Sequence, residues 1–188
     1  MYYESYKSLF KKKTRLQVNY DAGEVEIKEH DKKATLRKVV LHGVSGDTFG
    51  IKHDTGGVTI PLFQAKPKSK VHKGCDGIVW TKIGEESYVF VCELKSSEPR
   101  DNKWKFKMYN ARALLEYLKD MTAPYELCCG CHATRIFVLF QGSGQKTAPM
   151  LTGIGSPQIE RHELSGDVLL KVCNRTKVSI EKLIRHAS

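Results

Sequence analysis

No apolar run in this chain is long enough to cross a bilayer. The longest, residues 88–92 and 136–140, are the size of β-strands, whereas a membrane-spanning helix needs about 20 apolar residues. The opening residues, MYYESYKSLFKKK, lack the basic region, apolar stretch and small-residue cleavage site that follow one another in a secretory leader. No repeat, low-complexity tract or long linker interrupts the sequence. The expectation is a soluble, intracellular protein, cytoplasmic and without a membrane partner. The six cysteines are poorly spread for a disulfide framework. Cys128, Cys129 and Cys131 crowd one short segment, and Cys75 and Cys92 fall inside or beside predicted strands. A secreted framework would distribute them among loops, so the thiols are expected to be reduced. Acid is scarce as well: 21 Asp and Glu face 31 Lys and Arg, leaving +10 and a pI near 9.3. That excess favours a polyanionic partner, because each neutralised phosphate releases counterions.

The 188 residues are 40% hydrophobic, which suits one domain with a real core and excludes disorder. Residues 3–13 read as a short amphipathic helix, with Tyr3, Tyr6 and Phe10 on one face. Strands are predicted over 25–28, 35–42, 48–52 and 58–63, which makes the first third mostly β. Residues 66–74, KPKSKVHKG, form a basic loop without an acid. A hairpin follows, then a helix over 109–121 whose apolar side is supplied by Ala113, Leu114, Leu115, Tyr117 and Leu118. RIFVLFQ, residues 135–141, is apolar throughout and predicted to be central in a sheet. A strand over 167–173 and a helix from 178 to about 186 close the chain. The fold class is therefore mixed α/β or α+β, read as one domain over 1–188. Its parts are a β-rich portion (1–65), a core motif region (66–141) and a closing strand and helix (142–188).

The hairpin carries the chemistry. Gly84-Glu85 suits a two-residue turn with glycine first. Pairing Ile83 with Glu86 and continuing outward sets Asp76 opposite Glu93, on one face and about 5 Å apart at Cβ. Glu93 and Lys95 share that face, while Leu94 points to the core. Two carboxylates so close repel unless a positive charge lies between them. Hard oxygen ligands at this spacing suit Mg²⁺ or Mn²⁺, with the Leu94 carbonyl as a further ligand and Lys95 assisting an attacking water. An ordinary surface ion pair on a wet hairpin face is the alternative reading.

The pattern Asp76, then Glu93-Leu94-Lys95 closing an apolar strand, resembles the PD-(D/E)xK nuclease superfamily. The stretch CDGIVW…YVFVCELKSS is similar to RecB-like and phage-defence members. The resemblance covers residues 66–141. It implies a restriction-endonuclease-like core, a central mixed sheet flanked by helices, and metal-dependent hydrolysis of phosphodiesters, in DNA before RNA. Asp76 and Glu93 would hold the metal and Lys95 would assist the water. Cys75 stands where the name-giving proline would be, and Ala113 replaces the glutamine of a Gln-x-x-x-Tyr motif ending at Tyr117. Members often add a glutamate from the first helix, a place that only Glu4 can fill here.

Nucleic-acid contacts are expected from the basic stretches around the hairpin: Lys66, Lys68, Lys70 and Lys73 before it, Arg100, Lys103, Lys105 and Lys107 after. Trp104 and Phe106 alternate with the latter lysines and could stack on unpaired bases; aromatics turned to the core are the competing reading. Cutting both strands of a duplex takes two sites, which a homodimer would supply. A nucleic-acid-binding module of the same fold without turnover is the second functional reading. A third is a zinc-dependent domain, from Cys128 and Cys131, which have the spacing of one half of a zinc site, although His132 follows too closely to serve easily as a third ligand.

Overall fold

The computed structural model describes residues 7–29, 31, 33–53, 73–99, 101–125, 133–143 and 158–188. The predicted strand over 58–63, Glu4, Lys66, Lys68, Lys70, Arg100 and the Cys128–Cys131–His132 cluster lie outside them. So do residues 3–6 of the first predicted helix; of its described part only Lys7 and Ser8 are α-helical, followed by a 3₁₀ turn at Lys12–Thr14, so the continuous helix expected over 3–13 is not formed there.

The architecture is mixed α/β, built on two sheets. The larger has six strands in the order β4-β5-β6-β7-β9-β8: β4 Thr48–Ile51, β5 Gly77–Ile83, β6 Glu86–Lys95, β7 Thr134–Gln141, β9 Asp167–Cys173 and β8 Gln158–Leu164. β6, β7 and β9 run parallel, and antiparallel strands complete both sides. β6 and β7 are buried along most of their length, which is why they read as continuous apolar runs. The smaller sheet, β1-β2-β3-β10, joins β1 Gln17–Asn19, β2 Glu24–Lys28 and β3 Lys38–His42 to the late strand β10 Lys177–Ser179. The chain's two ends are thereby woven into one sheet.

Alternation along β6 sorts its side chains between two cores. Tyr88, Phe90, Cys92 and Leu94 face the smaller sheet, meeting Val25, Ile27, Val39 and Leu41. The closing helix α2, Ile180–Ala187, adds Ile180 and Leu183 to that layer. Val89 and Val91 face the long helix α1, Lys103–Thr122. Helices lie on both faces of the larger sheet, the long α1 on one and the short α2 on the other. One face is covered by α1, the other chiefly by the second sheet, because the β-rich N-terminal portion has its own apolar face to bury. Among the described residues no helix is long and apolar enough to cross a membrane.

α1 begins six residues earlier than the predicted 109. Its buried side is Met108, Ala111 and Leu115, with Trp104 and Leu118 packed beside them, a run at helical spacing. Ala113 and Tyr117, expected on that side, are turned outward. The interleaved Lys-Trp-Lys-Phe-Lys is helical, so it presents several faces rather than two. Trp104 packs inward and Phe106 is exposed. The described cysteines, Cys75, Cys92 and Cys173, are free thiols.

Candidate active site

The hairpin register sets the site. Ile83 pairs with Glu86 and the ladder continues to Gly77 opposite Cys92, around a turn in which Gly84 takes φ +60°. Asp76 lies one residue before β5. Its N–H still donates to the Cys92 carbonyl at 3.0 Å, and its Oδ2 accepts from the Leu94 N–H at 2.6 Å. The N–H and carbonyl of one strand residue leave on the same edge, so the Leu94 carbonyl is turned toward Asp76 as well. Asp76 and Glu93 thus occupy the helix-facing side of the sheet, at the carboxyl end of β6, where open α/β sheets place their ligands.

Both acids are buried: Asp76 is 5% exposed and Glu93 0%. Loss of water pushes the Asp76 carboxyl well above the usual range. The Glu93 charge pushes the same way and Lys107 opposes, with a smaller upward push from Glu29. Burial raises Glu93 too, against the pull of Lys107 and Lys95. Lys95 Nζ lies 2.5 Å from Glu93 Oε1. Lys107 Nζ lies 3.0 Å from the same oxygen and 3.9 Å from Asp76 Oδ1. Glu93 Oε2 is buried and has no hydrogen-bond partner among the described residues. An orphaned carboxylate oxygen beside a second buried carboxylate is what a hard divalent cation satisfies. Among the described residues no third His, Cys, Asp or Glu joins the pair in a ready ligand set. The groups that could hold such an ion are the two carboxylates and the Leu94 carbonyl, hard oxygen donors of the kind that suit Mg²⁺, an ion that keeps waters and takes substrate phosphates as further ligands.

No family model, curated protein or solved structure matches this chain. Its function has to be argued from the site.

Of the predicted residues, Asp76, Glu93 and Lys95 come together, and Leu94 frames them. Lys107, expected on the nucleic-acid-binding stretch, reaches between the two carboxylates instead. Lys103 is exposed and paired with Asp101, and Lys105 lies 5.7 Å over the Trp104 ring. Lys73 is exposed, and its carbonyl accepts from the Asn110 amide at 2.8 Å, which ties the approach to Asp76 onto α1.

Three contributors were not foreseen. Gln141 ends β7 directly beside Lys95, on the same face, and its Oε1 is buried without a partner among the described residues. Glu29 follows β2 of the other sheet, close enough for its charge to act on Asp76. His53 accepts the Cys75 N–H on Nδ1 at 3.3 Å, holding the residue before Asp76.

Ser96 locks the end of the strand that carries the site. Its Oγ accepts from the Thr35 N–H at 2.7 Å and the Leu36 N–H at 3.3 Å. Gly142 crosses so close that a Cβ there would stand 2.7 Å from the Ser96 carbonyl oxygen. Ser96→Ala is expected to leave both N–H groups without their acceptor and to lower stability by about 1–3 kcal/mol. Urea unfolding checks this, and Ser96→Thr, which keeps the oxygen, should recover most of the loss. An unchanged Ser96→Ala midpoint would show that the lock is not used.

Proposed function

We propose that this chain is a metal-dependent nuclease that hydrolyses phosphodiester bonds, in DNA before RNA, on a restriction-endonuclease-like core. The observation that carries the reading is the buried Asp76–Glu93 pair with its orphaned Glu93 Oε2, flanked by two ammonium groups. The order β5, β6, α1, β7, with β6 and β7 parallel, supports the finer fold assignment.

Asp76 Oδ1, Glu93 and the Leu94 carbonyl would hold Mg²⁺ or Mn²⁺. Such an ion, when bound, neutralises phosphate charge and lowers the pKa of an attacking water. Lys95 stands at the rim, 29% exposed, where its ammonium can orient that water and steady the charge that builds on phosphorus. Water's oxygen bonds to phosphorus as one ester P–O bond breaks, and the leaving oxygen takes a proton. Lys73, Lys103 and Lys105 grip the backbone on either side without reading sequence. Action on intracellular nucleic acid, and a homodimer for cutting both strands, belong to the same proposal.

Purified protein incubated with duplex DNA, single-stranded DNA and RNA should cleave at least one substrate with Mg²⁺ or Mn²⁺ and none with chelator. Binding without cleavage under every condition would favour the second reading, a nucleic-acid-binding module. Lys107 supports that reading, since it compensates the carboxylates without any metal. Gln141→Leu removes the orphaned amide oxygen beside Lys95. It is expected to lower the cleavage rate about 10–100-fold, the usual effect of a group that positions another, with the melting temperature held or raised. A wild-type rate would remove Gln141 from the site.

A further inference from the structure

Among the described residues two ammonium groups serve the buried carboxylates, and they are not equivalent. Lys95 belongs to the same strand as Glu93 and, of the two acids, pairs with that one. Lys107 comes from α1, in the opposite layer, and alone reaches both acids, 3.0 Å from Glu93 Oε1 and 3.9 Å from Asp76 Oδ1. An ammonium in that position fills the space that a divalent ion held by both carboxylates would need. The Lys107 ammonium and a divalent ion cannot occupy that one position together, and a second positive charge crowded beside the first is costly there.

We infer that Lys107 is an exchangeable counter-ion, which holds Asp76 and Glu93 together when no metal is bound and withdraws when a divalent cation enters. The inference rests on the metal-dependent reading above and adds to it a competitor carried by the protein itself. Three features make the exchange feasible. The lysine stem is long and flexible, and the Lys107 side chain keeps 15% exposure, so its tip is near water. The residue sits near the start of α1, beside exposed Phe106 and Lys103. The hairpin pairing does not pass through it, because the β5–β6 ladder and the Asp76–Leu94 bond are made within the sheet. Once displaced, the ammonium stands at the mouth of the site, where a substrate phosphate would meet it. Metal loading would then free a phosphate contact that the metal-free protein keeps occupied.

A site blocked for part of the time binds its ligand more weakly by the fraction of time it is open. Titration calorimetry with Mn²⁺ reads this directly. Lys107→Met should bind Mn²⁺ about tenfold or more tightly than wild type, whereas Lys107→Arg, with a guanidinium that forks onto carboxylates, should bind it more weakly. Melting curves give a second readout. With chelator Lys107→Met should melt below wild type, and Mn²⁺ should raise its melting temperature by more than it raises the wild type's. Should Lys107→Met fold only when Mn²⁺ is present, the exchange is supported, because the ion has taken the lysine's place. Unfolding with and without Mn²⁺ would mean that Lys107 is a fixed strut, and would overturn it. Equal Mn²⁺ affinity in wild type and Lys107→Met would also overturn the inference while leaving the metal site standing. No Mn²⁺ binding by either protein would remove the metal site itself, and the exchange with it.

Discussion

Glu93→Gln is expected to cut metal-dependent cleavage by about 10²–10³-fold or more, the scale seen when a group aimed at transition-state charge is removed. The same substitution should raise the melting temperature in chelator. Both follow from the position of one side chain. Glu93 is 0% exposed and its Oε2 has no partner among the described residues, so the fold holds a charge there at the expense of stability, as functional sites do. An amide of the same shape needs no counter-ion and is easier to desolvate. Lys95 and Lys107, both partly exposed, can turn to water once the charge is gone. Lys95→Ala should lose cleavage on a similar scale, yet bind Mn²⁺ at least as well as wild type, since it removes a positive neighbour rather than a ligand. The pair of variants therefore separates holding the ion from using it. If both cleave like wild type, the site is misplaced; if Glu93→Gln keeps full Mn²⁺ affinity, Glu93 is not a ligand.

How much of this was legible depends on the distance over which each feature is determined. The hairpin could be read because Gly84 fixes the turn and the apolar strands fix the face, so pairing arithmetic carries from Ile83–Glu86 out to Gly77–Cys92. β7 could be read because a strand buried on both sides is apolar throughout. β8, QIERHEL, could not. It lies at the sheet edge with most of its residues exposed or half-exposed, and charges on such a strand discourage further pairing. The start of α1 was misjudged for a different reason. Lys-Trp-Lys-Phe-Lys alternates with period two, and the helical spacing of Trp104, Met108 and Ala111 shows only when the window extends further. That error moved Lys107 from the space between the carboxylates to an imagined outer stripe. Glu29 and Gln141 carry no local signal. One is brought in by the stacking of two sheets, the other by the choice of β7 as neighbour to β6, and neither is written in a short stretch of sequence.

Trp80→Ala should destabilise the protein by about 3–5 kcal/mol, the usual effect of emptying a large buried aromatic site. For a chain of this length that corresponds to a fall in melting temperature of about 6–20 °C. Trp80 is 1% exposed on the α1 side of β5. Its ring stacks on Phe49 of the edge strand β4 at 4.6 Å and 3°, and Phe10 leans on it at 6.1 Å. Three segments far apart in sequence are joined through this one side chain, so little can move in to fill the space it would leave. Trp80→Phe keeps the stacking and should lose much less, because volume and face-to-face contact are largely retained. Trp80 shares its face with Asp76 but lies four residues along the strand, about 13 Å away. Chemical denaturation should therefore shift strongly in Trp80→Ala while Mn²⁺ affinity of the folded protein stays at the wild-type value. A shift below about 1 kcal/mol would mean that the aromatic cluster is not packed as described. A loss of Mn²⁺ affinity without unfolding would mean that the Phe10–Phe49–Trp80 cluster sets the position of Asp76, and that core and site act as one unit rather than two.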